Sequence, residues 1–213
     1  MSRHLSPIDQ LITSFDQGVR TLFGKPDITE RPNPATTEAE GELKETEKKL
    51  SARLMRINHS GEVAAQALYQ GQAITARDEN VKEQMQRSAQ EEYDHLDWCE
   101  KRVKELGSHT SYLNPLVYTG SLAIGALAGA IGDKWSLGFV VETEKQVGKH
   151  LEDHLSRLPM NDHKSRAVLE QMDIDEAHHA DVAKQAGAAE LPPPVKTAMK
   201  FTSKLMTKSV YWV

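Results

Sequence analysis

Residues 85–106 read MQRSAQEEYDHLDWCEKRVKEL, and their apolar residues recur at alternating spacings of four and three. This period is typical of one buried face of an α-helix. Glu92 falls in that buried face, whereas its neighbour Glu91 falls on a polar face together with Arg102. His95 follows Glu92 by three residues, so both side chains point to the same side of the helix. The stretch therefore predicts a helix with an inward acid and an inward histidine.

A second Glu-x-x-His pair occurs later in the chain. Glu176 and His179 share a helical face with Leu169, whereas the adjacent pair of Asp175 and His178 is rotated away from that face. One such pair is a weak signal, because Glu and His are frequent on solvated helical faces. Two pairs on apolar faces point to a shared buried site.

Two further acids complete a doubled pattern. Glu144 interrupts an apolar stripe within residues 137–158, and Glu62 is the best inward acid of a more mixed helix. Glu62 lies 30 residues before Glu92, and Glu144 lies 32 residues before Glu176. The chain therefore repeats one order of residues: a glutamate, about thirty residues, and then Glu-x-x-His.

Four long helices can be phased by their apolar residues, with breaks that contain Gly, Pro, Asn or Asp. The doubled pattern predicts two antiparallel helix pairs, related by a two-fold axis, that bring the acids and histidines together. The sequence thus predicts an all-α four-helix bundle. The predicted helices span residues 50–78, 80–106, 136–158 and 162–187.

Four carboxylates in a core need a positive partner, because buried ionised groups are costly and repel one another. Lysine and arginine are absent from the phased stripes, so a metal is the natural counterion. Six nitrogen and oxygen ligands, four of them anionic, suit two ions of iron or manganese. Chance polar positions satisfied by water are the alternative interpretation. The candidate ligands are Glu62, Glu92, His95, Glu144, Glu176 and His179.

The composition excludes several function classes. The 213 residues, 23.8 kDa in mass, are enough for one domain with tails. A net charge of −5 gives no overall basic field for nucleic acid, so no nucleic-acid partner is expected. The single cysteine, Cys99, rules out an internal disulfide and a cysteine zinc site, which favours a reducing, cytoplasmic setting.

The first residues differ in character from the rest of the chain. The N-terminus favours a short amphipathic helix and lacks the features of a secretion signal. Residues 25–34 contain three prolines and precede a charged run, which is typical of a linker. We therefore predict an amphipathic segment and linker at residues 1–45 and one helical domain at residues 46–213.

Residues 110–132 carry no charge and are rich in Gly, Ala and Leu. A crossover helix is needed when consecutive long helices of a bundle run parallel, and we favour that interpretation, with contact to lipid as an addition. The length also approaches that of a membrane span, although the many small residues argue against one.

The C-terminal segment favours another amphipathic helix. Lys196, Lys200, Lys204 and Lys208 recur every four residues, while apolar residues gather on another face. Such a helix suits an anionic membrane surface. An ordinary helix that covers the bundle and solvates its lysines is an equally good interpretation.

Four short segments carry a resemblance to a known family. They are RINHSGE at 56–62, EEYDH at 91–95, VETE at 141–144 and DEAHH at 175–179. Together with the apolar crossover, they resemble the 5-demethoxyubiquinone hydroxylase family over about residues 50–213. The resemblance implies a ferritin-like four-helix bundle with an apolar crossover helix and an extra C-terminal amphipathic helix.

Members of that family are di-iron monooxygenases that hydroxylate the ring of a demethoxy-quinone late in ubiquinone biosynthesis. The resemblance therefore implies two iron ions, with dioxygen and a reductant, expected to be NADH, as co-substrates. By the same resemblance, terminal ligands are Glu62 and Glu144, bridging ligands are Glu92 and Glu176, and nitrogen ligands are His95 and His179.

A polyprenyl quinone partitions into lipid, so the resemblance implies peripheral attachment to the cytoplasmic face of the cell membrane. Accessory proteins of ubiquinone biosynthesis are candidate partners. Tyr69 and His150 are candidates for groups that hydrogen-bond a metal ligand or face the substrate, with packing or a surface position as the alternative. An iron-oxidising or iron-storage bundle is the competing function, and manganese catalase chemistry also suits this ligand set.

Overall fold

A computed structural model describes residues 7–24, 29 and 31–213, and these residues form α-helices, one short 3₁₀ helix at Pro34–Thr37 and no strand. The all-α prediction is therefore confirmed. The helices are α1 (Pro7–Phe23), α2 (Glu45–Thr75), α3 (Glu79–Glu105), α4 (Asn114–Ile131), α5 (Asp133–Arg157), α6 (His163–Gln185) and α7 (Pro193–Val210).

The four longest helices form a bundle of two hairpins. Residues 76–78 join α2 to α3 and residues 158–162 join α5 to α6; such short connections make neighbouring helices antiparallel. Helix α3 packs against α6, and α4 packs on α2 and then against α5. The chain thus crosses from the first hairpin to the second through α4, which confirms the ferritin-like bundle with an apolar crossover helix.

The helix boundaries lie within three residues of the predicted ones except at the start of α2. That helix begins at Glu45, within the charged run that was interpreted as favouring solvent. The backbone N–H of Lys44 donates to Glu47 Oε2 at 2.7 Å, and two acids in the first turn favour the positive end of the helix dipole. Capping therefore extends the helix beyond its apolar stripe.

The segment before α2 is packed against the bundle. The N–H of Thr29 donates to Asp94 Oδ1 at 2.7 Å, and Glu40 forms a bidentate pair with Arg102 at 2.8 and 2.9 Å. Arg102 also binds Asp162 at 2.8 Å and is only 2% exposed. The segment therefore buries Asp94 and Arg102 on the polar face of α3, where hydrogen bonds and ion pairs satisfy their charges.

Glycines allow α4 to approach α2 closely. A Cβ on Gly125 would lie 2.2 Å from the Leu68 carbonyl oxygen, and one on Gly71 would lie 2.3 Å from the Leu122 carbonyl oxygen. The opposite side of α4 exposes large apolar residues, including Leu127. By length and composition, α4 is the one helix among those described that could cross a bilayer.

Helix α7 covers the bundle only partly. Val210 is its one fully buried residue, whereas Phe201 and Leu205 are exposed. The end of the helix is fixed by Arg53, whose guanidinium lies 5.1 Å from the Tyr211 ring and near the Trp212 ring. The predicted C-terminal amphipathic helix is thus present, with apolar side chains left at the surface.

Apolar side chains enclose the middle of the bundle from both ends. Along α3, Met85 belongs to one buried cluster with Leu137, and Cys99 belongs to another with Met172. Glu92 lies between these clusters on the same helix and is fully buried. The inward acids therefore sit in a water-poor layer between two apolar layers.

Candidate metal centre

Four predicted ligands converge on one point. Glu62, Glu92, His95 and Glu176 are buried, and each offers a ligand atom within 4.8 Å of the others. His95 Nδ1 lies 3.2 Å from Glu92 Oε2, 3.3 Å from Glu176 Oε1 and 3.5 Å from Glu62 Oε2. Helices α2, α3 and α6 contribute these groups, so long-range packing builds the cluster.

His179 contacts Glu92 and Glu176 from the other side and forms the second half of the cluster. Its Nδ1 lies 3.2 Å from Glu92 Oε1 and 3.2 Å from Glu176 Oε2. Each of the two glutamates thus places one oxygen beside His95 and the other beside His179. The doubled sequence pattern appears in space as two halves that share a pair of carboxylates.

Glu144 is buried on α5 and accepts a hydrogen bond from the Tyr69 hydroxyl at 2.5 Å. Burial raises the pKa of Glu144 well above its usual value, and the charges of Glu176 and Glu92 raise it further. Burial and Glu92 likewise raise the pKa of Glu62. The site therefore concentrates carboxyl groups in a buried layer, where a cation would stabilise their charged forms.

Each inward histidine is held from behind by another acid. His95 donates its Nε2–H to Asp175 Oδ2 at 2.8 Å, and His179 donates its Nε2–H to Glu91 Oε2 at 2.7 Å. Such outer carboxylates fix the tautomer and leave Nδ1 free for a metal. Sequence phasing had set Asp175 and Glu91 aside as outward. The signal for them is the acid directly before the Glu of each Glu-x-x-His pair.

Contacts between the histidines and the acids, rather than burial, set the direction of the pKa shifts of His95 and Glu92. Burial alone would lower the pKa of His95, but its hydrogen bonds to Asp175 and the glutamates raise it well above the usual value. Burial raises the pKa of Glu92, yet the imidazoles of His179 and His95 beside it outweigh burial and leave it well below the usual value. Without metal, protons on the histidines thus partly balance the acids.

The donor set fits a metal. Glu62 Oε2 and Glu92 Oε1 are buried and make no hydrogen bond of ordinary geometry with the described residues. Buried carboxylate oxygens without a partner are costly, and a cation between them removes that cost. Carboxylate oxygens with imidazole nitrogens suit iron. The buried Glu and His cluster could therefore hold iron.

An apolar cavity of about 340 Å³ adjoins the cluster. Helices α2, α4, α5 and α7 line it, with Phe139, Met199 and Met206 among its walls. Glu62 and Asn58 also line it, so the first half of the cluster borders the cavity directly. The site can therefore receive a bulky apolar molecule next to a candidate metal ligand.

Comparison with known proteins identifies the family. A family model described as ubiquinone biosynthesis protein COQ7 matches residues 49–210. The chain belongs to the COQ7 family. The match confirms the resemblance drawn from the four sequence segments.

Relatives in the COQ7 family are similar over nearly the whole chain. A protein of Nitrosococcus oceani is 58% identical over 211 residues, covering 99% of both chains. A protein of Chromobacterium violaceum is 56% identical over 206 residues, covering 97% of this chain and 100% of its own. One of Acinetobacter baumannii is 56% identical over 211 residues, covering 99% and 100%. All three are named 3-demethoxyubiquinol 3-hydroxylase.

Tyr69 and His150, which were predicted to contact a metal ligand or face the substrate, occupy different places in this COQ7 family member. Tyr69 is buried and contacts Glu144, so it lies directly behind a predicted ligand. His150 lines the cavity, with its ring 3.9 Å from that of His154. His154 Nδ1 is in turn 2.9 Å from Asn58 Oδ1. His150 therefore belongs to a small polar group at the cavity wall.

Proposed function

We propose that this protein is a di-iron 3-demethoxyubiquinol 3-hydroxylase, which hydroxylates the ring of a polyprenyl demethoxy-quinol in a late step of ubiquinone biosynthesis. The observation that carries the proposal is the junction of a buried Glu and His cluster with an apolar cavity at Glu62. Relatives that are 54–58% identical are named 3-demethoxyubiquinol 3-hydroxylase, which supports the same activity.

Two iron ions are favoured over one. The oxygens of Glu92 and Glu176 are divided between His95 and His179, which suits two adjacent ions that share two carboxylates. Glu62 would then complete the first half. Glu144 would complete the second half, where Tyr69 holds one of its oxygens.

When bound, an iron pair would supply oxidation chemistry in which dioxygen, two electrons and two protons convert one ring C–H bond into C–OH and yield one water. Hydroxylation places one oxygen atom on the ring carbon and the other in water, and it consumes two electrons from a reductant, for which we propose NADH. The protein excludes water with the apolar layers around Met85 and Cys99. Asp175 and Glu91 hold the histidine protons at Nε2, so both Nδ1 atoms stay directed at the centre.

The cavity would orient the quinol ring and its tail. Asn58 and His150 line its wall, and His154 lies behind them, with Nδ1 2.9 Å from Asn58 Oδ1. The buried Nε2 of His150 makes no hydrogen bond with the described residues, so it suits a hydrogen bond to a ring oxygen. The tail would run along apolar side chains such as Ile124 of α4 and Met199 of α7.

We further propose peripheral attachment at the cytoplasmic face of the cell membrane. Helices α4 and α7 line the cavity and also carry exposed apolar side chains, including Leu116 and Leu127 on α4 and Leu205 on α7. The exposed lysines of α7 would contact anionic headgroups. A lipid-borne substrate could then enter without crossing water. Accessory proteins of ubiquinone biosynthesis remain candidate partners at the same surface.

The iron-storage alternative is not favoured. A storage protein needs a polar path by which ions reach the cluster. Here the cavity beside Glu62 is apolar, and the relatives are named hydroxylases.

A genetic experiment tests the proposed reaction. Cells that lack this protein should accumulate a demethoxy-quinone in their lipid extract, and the parent gene should restore ubiquinone. A gene carrying His179→Ala should fail to restore it, whereas the exposed neighbour His178→Ala should succeed. Unchanged quinones in the deletion strain would contradict the proposed substrate.

A further inference from the structure

The segment before α2 places one cationic side chain behind the metal centre. Arg31 donates a hydrogen bond from Nη2 to Asp175 Oδ2 at 2.5 Å. The same oxygen accepts the Nε2–H of His95 at 2.8 Å. Arg31, Asp175 and His95 therefore form one continuous chain of charge-assisted hydrogen bonds that reaches the centre from outside the bundle.

Arg31 is held in place by its neighbours. Thr29 is tied to Asp94 through its N–H at 2.7 Å and also through its hydroxyl. The Arg31 guanidinium lies 5.2 Å from the centroid of the Trp98 ring, within the range of a cation–π contact. The Trp98 ring is in turn 5.4 Å from the His95 ring. Arg31 therefore lies next to two groups that touch His95, the Asp175 carboxylate and the Trp98 ring.

We propose that Arg31 is a positioning residue of the metal centre, which holds Asp175 so that His95 Nδ1 stays directed at Glu62, Glu92 and Glu176. A carboxylate that is paired with a fixed guanidinium cannot turn toward solvent, so it keeps one orientation for the imidazole. Gln171 donates to the other oxygen, Asp175 Oδ1, at 3.0 Å, so without Arg31 the carboxylate keeps a neutral partner but loses its charged one, and His95 is held less firmly. The matched family region begins at residue 49, so this role lies in a segment outside it.

Three variants separate this role from simple anchoring of the segment. Arg31→Gln removes the charge, and Arg31→Lys restores the charge without the planar fork. Glu40→Gln loosens the same segment through Arg102 and Lys164 but leaves Asp175 and its histidine untouched. For each variant, ferrous iron affinity is measured anaerobically by competition with a chelator. The Tm of the metal-free protein and the near-infrared circular dichroism of the ferrous protein are also measured for each variant.

Arg31→Gln should weaken ferrous affinity about 10-fold, at the lower end of the effect of losing an outer partner of a metal ligand. It should also shift the ferrous spectrum, and Arg31→Lys should recover part of both losses. Glu40→Gln should lower Tm and leave affinity and spectrum unchanged. Parent-like iron affinity in Arg31→Gln, or an equal loss in Glu40→Gln, would overturn the proposal. A parent protein that binds no ferrous iron would overturn the iron centre as well.

Discussion

At the scale of single residues, adjacent acids in the centre have different roles. Glu92 and Glu176 face the cluster, while the residues directly before them, Glu91 and Asp175, hold the histidines of the opposite hairpin. Neighbouring positions on a helix point about 100° apart, so one dipeptide serves both the metal and the outer hydrogen bond. Substitutions at adjacent acids should therefore have different consequences.

Glu144→Gln should remove activity yet raise the Tm of the metal-free protein. The amide keeps the size of the side chain and can still accept a hydrogen bond from Tyr69, and it stays neutral where Glu144 must either take up a proton or carry a charge that Glu176 and Glu92 repel. Loss of a ligand should reduce turnover by more than the roughly 10- to 100-fold typical of an outer partner. Differential scanning fluorimetry and quinol turnover measure the two effects.

Glu142→Gln is the matched control, because Glu142 lies on the same helix and contacts Gln146 and Lys196 rather than the cluster. Its turnover should stay close to that of the parent. A fall in the metal-free Tm of Glu144→Gln, or equal losses of turnover in both variants, would contradict the assignment of Glu144.

The stabilisation by iron should increase with pH. Glu62, Glu144 and His95 have raised pKa values in the metal-free fold, so their contribution to stability is full at low pH and is lost as pH rises through those values. Glu92, whose pKa is lowered, stays ionised near neutral pH and does not change the dependence of stability on pH there.

Between about pH 5.5 and about pH 7.5, the gain in Tm on adding ferrous iron should therefore grow, because iron must displace those protons. His59, His150 and His154, whose pKa values burial lowers, titrate alike in both forms and cancel in this difference. Thermal unfolding of metal-free and iron-loaded protein across this range measures the gain. A gain that is constant or shrinks with rising pH would contradict the described charge balance.

At the scale of whole helices, α4 and α7 give the bundle its apolar cavity. Helix α4 approaches α2 through glycines, and α7 lies across the cavity with only Val210 fully buried. Close approach on one side and loose coverage on the other leave room for a substrate between them. The two helices should therefore respond differently to substitution.

Gly125→Ala should destabilise the protein, because the added Cβ would lie 2.2 Å from the backbone carbonyl oxygen of Leu68. Overpacking of this kind costs about 1–3 kcal/mol, which exceeds the roughly 0.5–1 kcal/mol that alanine gains over glycine in a helix. Gly120→Ala is the control, since no atom lies within 4 Å of its added Cβ. Urea unfolding should show a loss for the first variant and none for the second; the reverse order would refute this packing.

Replacing Lys200, Lys204 and Lys208 with Gln should weaken binding to anionic liposomes. All three side chains are exposed, and attraction to headgroups is electrostatic, so high salt should weaken the same share of binding. Turnover of a long-tailed quinol should fall while that of a short-tailed, water-soluble analogue is preserved. Loss of both activities, or unchanged liposome binding, would assign α7 a structural role and leave membrane contact to α4.

At the scale of the whole molecule, periodic features were predictable and long-range ones were not. The four helices and the inward direction of Glu92 follow from apolar spacing, which sequence displays directly. The burial of Arg102 and the contact of Arg31 with Asp175, 144 residues apart, depend on how separate segments meet. No periodicity marks such contacts, so residues 25–34 were interpreted as a linker and the charged run after them as solvated.

The most direct test of the iron-dependent hydroxylation combines labelled dioxygen with a defined substrate. Purified protein is loaded with ferrous iron and given a demethoxy-quinol, NADH and isotopically labelled dioxygen, and the product is examined by mass spectrometry. The account predicts one labelled oxygen atom in a new ring hydroxyl, and none for the His179→Ala variant. An unlabelled hydroxyl, or equal product from metal-free protein, would contradict it.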